Sequence, residues 1–119
     1  MSMLLAVAAM LQAPSVERWT CVYPAYGGGE PVSVTLDLKG DELLDVDFAL
    51  PYKVILRNER AIVATYATDG PHQGKYQVNA RTIAIDRQTG DMIVSNIDYH
   101  GPSAQNAPVR GKCGRAAFQ

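Results

Sequence analysis

Two histidines and one aspartate form the set of residues in this sequence that comes nearest to a metal site. Asp98 and His100 are two positions apart and would share one face of an extended strand, while His72 lies elsewhere in the chain. Two imidazoles and one carboxylate can hold a divalent transition metal. Both histidines also fall in or beside expected loops, where such a set arises by coincidence. The sequence therefore favours no metal and no cofactor, and His72, Asp98 and His100 are retained only as alternative ligands.

The carboxylates Asp45 and Asp47 are the nearest approach to a hydrolase. Their spacing places both on one strand face, and paired carboxylates flank the scissile bond in glycosidases. The same pattern puts both on the water-facing side of a regular hairpin, away from any cleft that would shift a carboxyl pKa. The sequence contains no Gly-x-Ser-x-Gly elbow. We therefore expect no catalytic residues, and a small hydrolase or metal enzyme is the least favoured function.

Cys21 and Cys113 stand near opposite ends of the chain, and we expect them to form a disulfide. Small exported domains often join their ends this way, whereas the reducing cytosol does not permit it. A bridge of this span would add about 4–5 kcal/mol of stability in the loop-entropy model. The alternative is two unpaired, buried thiols. A zinc site is disfavoured because two isolated cysteines supply too few ligands.

The first residues resemble an export signal. Residues 3–11 form an unbroken apolar run that is too short to cross a bilayer, and Ala13-Pro14-Ser15 offers small residues for cleavage. No Lys or Arg precedes the run, so a buried helix or an edge strand is the alternative. We predict a signal peptide or apolar leader over residues 1–15, a single β domain over 16–119, no transmembrane span, and a periplasmic or secreted location.

Composition narrows the range of partners. The 119 residues are 47% hydrophobic, enough for an ordinary core, and the formal net charge is −1. A nucleic-acid-binding protein would normally carry a basic face, so no nucleic-acid partner is expected. Acidic residues predominate between Glu30 and Asp47, which indicates a solvated face or a patch for a basic partner.

Alternating apolar and polar residues predict the elements that must position these groups. Residues 32–38 alternate, residues 39–42 have turn chemistry, and Leu44, Val46, Phe48 and Leu50 alternate again. This predicts a hairpin with Asp45 and Asp47 facing water. In the first expected strand, Trp19, Cys21 and Tyr23 share one face.

Further strands are predicted along the rest of the chain, with Asp69-Gly70-Pro71 as a breaker and with Tyr76, Val78, Ile83 and Ile85 pointing inward. No helix is expected after residue 15. The pattern predicts an all-β fold, an antiparallel meander of about seven or eight short strands in a small barrel or sandwich. The disulfide would link its terminal strands.

Two loops are the expected contact surfaces. Tyr23 and Tyr26 precede a run of three glycines, and tyrosine with glycine suits adaptable recognition. Asp69, Lys75 and Tyr76 border the second loop. Alternatively, the tyrosines in or at the ends of the strands would line a cavity for a small ligand: Tyr52, Tyr66, Tyr76 and Tyr99.

Trp19-x-Cys21 near one end and Gly111-Lys112-Cys113 near the other frame the meander. This layout resembles that of the small periplasmic lysozyme inhibitors of the C-type class. The resemblance implies a compact barrel with a terminal disulfide that inserts a loop into an enzyme's cleft, and Thr68-Asp69-Gly70 with Lys75 and Tyr76 would correspond to that loop. The family's Ser-Gly-x-x-Tyr signature and its Phe-Trp-x-Lys-Gly stretch are not in this sequence.

The function expected from the sequence is non-enzymatic binding of a protein partner or a cell-envelope component by an exported β domain. The first alternative is a small-ligand carrier with a tyrosine-lined barrel cavity.

Overall fold

A computed structural model describes residues 15–25, 28–100, 103–106 and 108–116, and within these ranges the regular structure is entirely β. Nine strands are present in the described residues. Their bounds are β1 Glu17–Tyr23, β2 Val32–Lys39, β3 Glu42–Asp45, β4 Leu50–Arg57, β5 Ala61–His72, β6 Lys75–Asp86, β7 Asp91–His100, β8 Ser103–Asn106 and β9 Val109–Arg115. Three of them, β5, β6 and β7, run for 12, 12 and 10 residues and exceed the short strands that the sequence predicts.

Eight antiparallel strands close into a small barrel. Strands β1 to β7 pair in chain order, and β9 lies between β1 and β7 and completes the ring. The short β8 stays outside the ring and pairs with the far end of β7. The predicted all-β meander is therefore confirmed, and it forms a barrel.

The barrel core follows the predicted alternation in most strands. Every second residue of β1 and β2 is buried, because their shared inner face meets the interior while the residues between them meet water. Long β5 and β6 contribute to the same core where they cross the ring. The largest fully buried side chains include Tyr52, Leu36, Leu38, Leu43, Ile62, Ile85, Met92 and Val94.

The disulfide between Cys21 and Cys113 is confirmed. The two residues lie directly opposite each other on β1 and β9, with their Cα atoms 4.0 Å apart, and they are separated by 92 positions in the chain. The bridge thus links the first and last strands, as the shared inward phase of Trp19 and Cys21 predicts.

A buried carboxylate lies at the same end of the barrel as the β6–β7 turn. Glu17 accepts hydrogen bonds from the Trp19 indole at 2.7 Å and from Arg87 at 2.5 Å, and Arg115 lies 3.5 Å from it. A carboxylate is tolerated in the interior only when it is paired and hydrogen-bonded in this way. The cluster ties β1 to the chain after β6 and to β9.

The predicted first hairpin is correct in position but wrong in phase. β3 ends at Asp45, and residues 46–49 form a turn in which Val46 and Phe48 are exposed. Leu43 and Asp45 face inward instead. The Asp45 carboxylate accepts the backbone N–H groups of Asp47 and Phe48 at 3.1 and 3.2 Å, so it caps a tight turn where alternation alone predicts a continuing strand.

The predicted breaker at Asp69-Gly70-Pro71 is also wrong. β5 runs through it to His72, and the chain reverses at Gln73 and Gly74, whose φ angles of 52° and 77° match a two-residue type I′ hairpin. Because β6 is unbroken, it keeps a single phase. Ile83 and Ile85 point inward as predicted. The prediction that Tyr76 and Val78 point inward is wrong, because both lie on the opposite face of β6.

Candidate functional site

The β5–β6–β7 ribbon extends beyond the barrel wall at the end opposite Glu17. We call this extension the arm, and it consists of residues 66–72, 75–81 and 95–100 together with β8. Pairing of β4 with β5 stops at Lys53 opposite Thr65, and β9 pairs only with the first residues of β7, Asp91–Val94. The arm's own strands stay paired throughout, from Tyr66 opposite Arg81 to His72 opposite Lys75.

A proline explains where the arm separates from the barrel. Two residues past the Lys53–Thr65 pair, β4 reaches Pro51, which has no N–H to donate to β5. From Tyr66 onward β5 has no strand partner on that side within the described residues. Pro71 removes a further donor from this free edge, which makes it a poor template for another strand.

The outer face of the arm is apolar and exposed. Tyr76 is 56% exposed, Ile97 45% and Tyr99 40%. Cross-strand pairing places Val78 opposite Tyr99, and Ala80 opposite Ile97, so that these side chains form one patch. We call it the arm patch: Tyr76, Val78, Ala80, Ile97 and Tyr99.

Three of the residues predicted to contact a partner lie together at the tip of the arm. The Tyr76 hydroxyl donates to the Asp69 carboxylate at 2.7 Å, and this bond raises the pKa of Tyr76 above its ordinary value. Lys75 is exposed beside Tyr76 at the first position after the hairpin turn. Asp69 and Lys75 thus provide opposite charges at the rim of the arm patch.

The apolar surface continues from the arm along the barrel wall. A shallow groove of about 370 Å³ has Val63, Ala84 and Ile93 on its floor, with Arg60 and Arg110 beside them. Arg60 is held by Asp86 at 3.2 Å.

The other predicted contact residues are placed differently. Tyr23 is buried in the barrel interior, where its hydroxyl accepts a hydrogen bond from Arg81 at 2.8 Å. Tyr26 lies outside the described residues. The structure therefore brings Asp69, Lys75 and Tyr76 together and places Tyr23 away from them.

The inner face of the arm is polar, in contrast to its outer face. It continues the barrel interior and carries Tyr66, Arg81, Asn96 and Asp98, all half-buried. Arg81 was not among the residues predicted from the sequence, although its phase with Ile83 and Ile85 places it on the inward side of β6. A polar residue in phase with a buried strand face was the available signal.

Tyr52 is the most deeply buried polar side chain next to this face, and it is only 1% exposed. Its ring packs against that of Tyr66 with the centroids 5.8 Å apart. Burial raises the pKa of Tyr52 to about 12, so the phenol stays protonated at neutral pH. Of the predicted cavity-lining tyrosines, Tyr52 and Tyr66 face the interior, while Tyr76 and Tyr99 are exposed on the arm.

The two predicted hydrolase carboxylates are not equivalent. Asp45 is 3% exposed, and its burial raises the pKa of its carboxyl. Asp47 is exposed and accepts the backbone N–H of Thr35 at 2.8 Å. Both carboxylates serve to hold the β3–β4 turn.

The alternative metal ligands are positioned here only through the backbone. His72 lies opposite Lys75 and His100 opposite Gln77, so the two flank β6 on β5 and β7, and Asp98 lies opposite Asn79. The histidine side chains lie outside the described residues, and the metal hypothesis stays a prediction. In the part of the chain whose side chains are described, no three His, Cys, Asp or Glu residues are grouped to hold a metal ion.

The described residues include no helix with the length and hydropathy needed to span a membrane. Comparison of the chain with protein-family models, with curated proteins and with solved structures finds no match.

Proposed function

We propose that the protein is an exported, non-enzymatic binding protein whose arm docks on a macromolecular partner or a component of the cell envelope. The observation that carries this proposal is the arm patch, an exposed apolar and aromatic surface on a projecting ribbon. Clustered exposed apolar side chains on a soluble domain commonly mark an interaction site.

The distribution of polarity on the arm supports a covered outer face. A strand pair that meets water on its outside normally carries polar residues there and apolar residues inside. The arm reverses this order, with Tyr76, Ile97 and Tyr99 outside and Arg81 and Asp98 inside. A partner on the outer face would remove the exposed apolar area from water, which supplies a favourable free energy of association.

The arm patch also has the composition of a protein interface. Tyrosines give a large contact area at low conformational cost, and a polar rim surrounds an apolar centre in typical interfaces. Asp69 fixes the Tyr76 hydroxyl at 2.7 Å, which limits the freedom that ring would lose on binding. Since Pro71 weakens the free edge of β5, the face of the arm is favoured over the edge as the contact.

The Cys21–Cys113 disulfide supports the exported part of the proposal. Such a bridge is compatible with an oxidising compartment, the periplasm or the extracellular space. The leader on which the rest of the export prediction depends lies outside the described residues.

Site-specific photocrosslinking in the cells that make the protein would test the proposal. A benzophenone amino acid is placed at Tyr76 or at Tyr99, and, as a matched control, at Ile55, which is 60% exposed on β4 of the barrel. We expect one discrete adduct from both arm positions and none from position 55. Adducts of equal yield from all three positions, or none from the arm, would contradict docking through the arm patch.

A further inference from the structure

Three buried polar atoms on or beside the inner face of the arm have no hydrogen-bond partner among the described residues. They are the Tyr52 hydroxyl, the Arg81 Nε and the Asp98 Oδ1. An unpaired buried polar atom costs free energy, so such atoms are normally satisfied by the protein, by water or by a ligand. Three of them in one region make that region a candidate ligand site.

The groups around these atoms are held in place by the protein. Arg81 donates through Nη2 to the Tyr23 hydroxyl at 2.8 Å, which leaves Nε free. Asp98 accepts from the Asn96 amide at 3.5 Å through Oδ2, which leaves Oδ1 free. Each side chain is therefore anchored through one atom and presents another.

The sheet register brings these side chains to one place. Arg81 lies opposite Tyr66 on β5 and opposite Asn96 on β7, and Asp98 is two positions beyond Asn96 on the same face. Diagonal neighbours of this kind have Cα atoms about 7–8 Å apart, so the two side chains are close enough to contact one ligand together. The Tyr52 ring reaches the same region through its contact with Tyr66.

The free atoms define the chemistry of an occupant. Tyr52 and Arg81 offer O–H and N–H donors, and Asp98 offers an acceptor. A simple anion would be repelled by Asp98, and a simple cation by Arg81. A hydroxyl group donates and accepts at once, and a molecule with neighbouring hydroxyls meets both requirements. The tyrosine rings would pack against the apolar C–H face of a sugar ring.

We propose that Tyr52, Arg81 and Asp98, flanked by the rings of Tyr23 and Tyr66, form a binding site for a small uncharged saccharide or polyol. The site goes beyond the proposed docking function, because it lies on the inner face of the arm and does not use the arm patch. The three free atoms are themselves buried, but Arg81 and Asp98 are half-buried as whole residues, so a ligand would enter at the end of the barrel where β4 and β5 separate.

An NMR titration of the purified, disulfide-intact protein would test the proposal. The probes are glucose, N-acetylglucosamine and glycerol, each added separately. We expect saturable shift changes confined to residues near Tyr52, Arg81 and Asp98 with at least one of these probes. Tyr52→Phe should weaken that binding about tenfold or more, because a phenol O–H that bonds only to the ligand is lost. Tyr76→Phe is the matched control and should bind as the parent does.

A second variant and a stability measurement keep the test decisive. Asp98→Asn keeps the size of the side chain but removes its charge, and it should also weaken binding. Without ligand, Tyr52→Phe should unfold at the same temperature as the parent or higher, since no protein hydrogen bond is removed. Shift changes with none of the three probes, or unchanged binding by Tyr52→Phe and Asp98→Asn, would overturn the site. A clear loss of stability in ligand-free Tyr52→Phe would instead show that the Tyr52 hydroxyl is bonded to ordered water only. That result would overturn the ligand site as well.

Discussion

Gly90 packs directly against the backbone of Cys113, one half of the disulfide. The Cys113 N–H donates to the Gly90 carbonyl at 2.7 Å, and Gly90 has a φ of 82°. A Cβ atom on Gly90 would collide with the carbonyl oxygen of Cys113. The turn between β6 and β7 is thus fitted to the strand that closes the barrel, and the fit depends on a residue without a side chain.

We predict that Gly90→Ala lowers the free energy of unfolding by about 2–4 kcal/mol, the combined effect of an unfavourable positive φ and the steric clash. Gly114→Ala is the control, because a Cβ there has nothing within 4 Å and its φ is not positive. Urea unfolding monitored by Trp19 fluorescence measures both. Similar unfolding midpoints for the two variants would show that the close contact at Gly90 does not affect stability.

The disulfide should be complete in the purified protein. We expect no reactive thiol in the denatured, unreduced chain and two after reduction, because Cys21 and Cys113 are bridged and no free cysteine is present. Replacing both residues with Ala should lower the free energy of unfolding by about 2–5 kcal/mol, the usual effect of losing a native bridge. Thiol titration and urea unfolding give the two values, and two reactive thiols before reduction would contradict the bridge.

The fold was predictable from the sequence in strands where burial alone decides which residues are apolar. In β1 and β2 one face meets the core and the other meets water, so the period of two reports directly on side-chain direction. The disulfide was predictable from a different signal, since the two cysteines stand near opposite ends of the chain and Cys21 shares its phase with Trp19. Both signals are present in a single sequence.

The remaining features depend on contacts between distant parts of the chain. Asp45 could enter the core because it caps its own turn, and Gly70-Pro71 could continue a strand because β6 pairs along its whole length. The site residue Arg81 is paired with Tyr23, 58 positions away. Alternation and turn propensity do not encode such partners, so the arm could not be predicted, and of its inner face only the inward phase of Arg81 was readable from the sequence.

Substitutions of Asp45 separate the effect of its charge on stability from the effect of its hydrogen bonds. Burial raises its pKa, so its ionised form is disfavoured in the folded state, and its contribution to stability falls as pH rises from the unfolded pKa toward the folded one. Asp45→Asn should therefore keep or increase the stability at pH 7, since an amide oxygen can still accept from the turn. Asp45→Ala should lose about 1–3 kcal/mol, because two backbone N–H groups lose their acceptor. Urea unfolding at pH 7 gives both values, and equal losses would show that the cap is unimportant.

Glu17 is expected to be a main stabilising residue at the end of the barrel away from the arm. Glu17→Ala would leave the Trp19 indole without its acceptor and the half-buried Arg87 with the Asn58 carbonyl but without its carboxylate partner, and we predict a loss of about 3 kcal/mol. Glu59→Ala, at an exposed turn position, is the control and should change little. Thermal unfolding is measured at low and at high salt. The stability loss from Glu17→Ala should depend little on salt, because a buried pair is screened less than an exposed charge. A Glu17→Ala protein as stable as the control would contradict this role.

Alkaline pH should destabilise the fold through Tyr52. Its pKa is about 12 in the folded state, whereas an unfolded tyrosine titrates near about 10. Between these values the unfolded chain releases a proton that the folded chain retains, so the free energy of unfolding falls as pH rises from about 10 to about 12 and is unaffected below that range. Tyr52→Phe should remove this component, while Tyr76→Phe should leave it in place because the Tyr52 phenol stays buried in that variant. Urea unfolding between pH 9 and pH 11, with ultraviolet absorbance to follow phenolate formation, measures both effects. An identical alkaline loss in the parent and in Tyr52→Phe would show that another group is responsible.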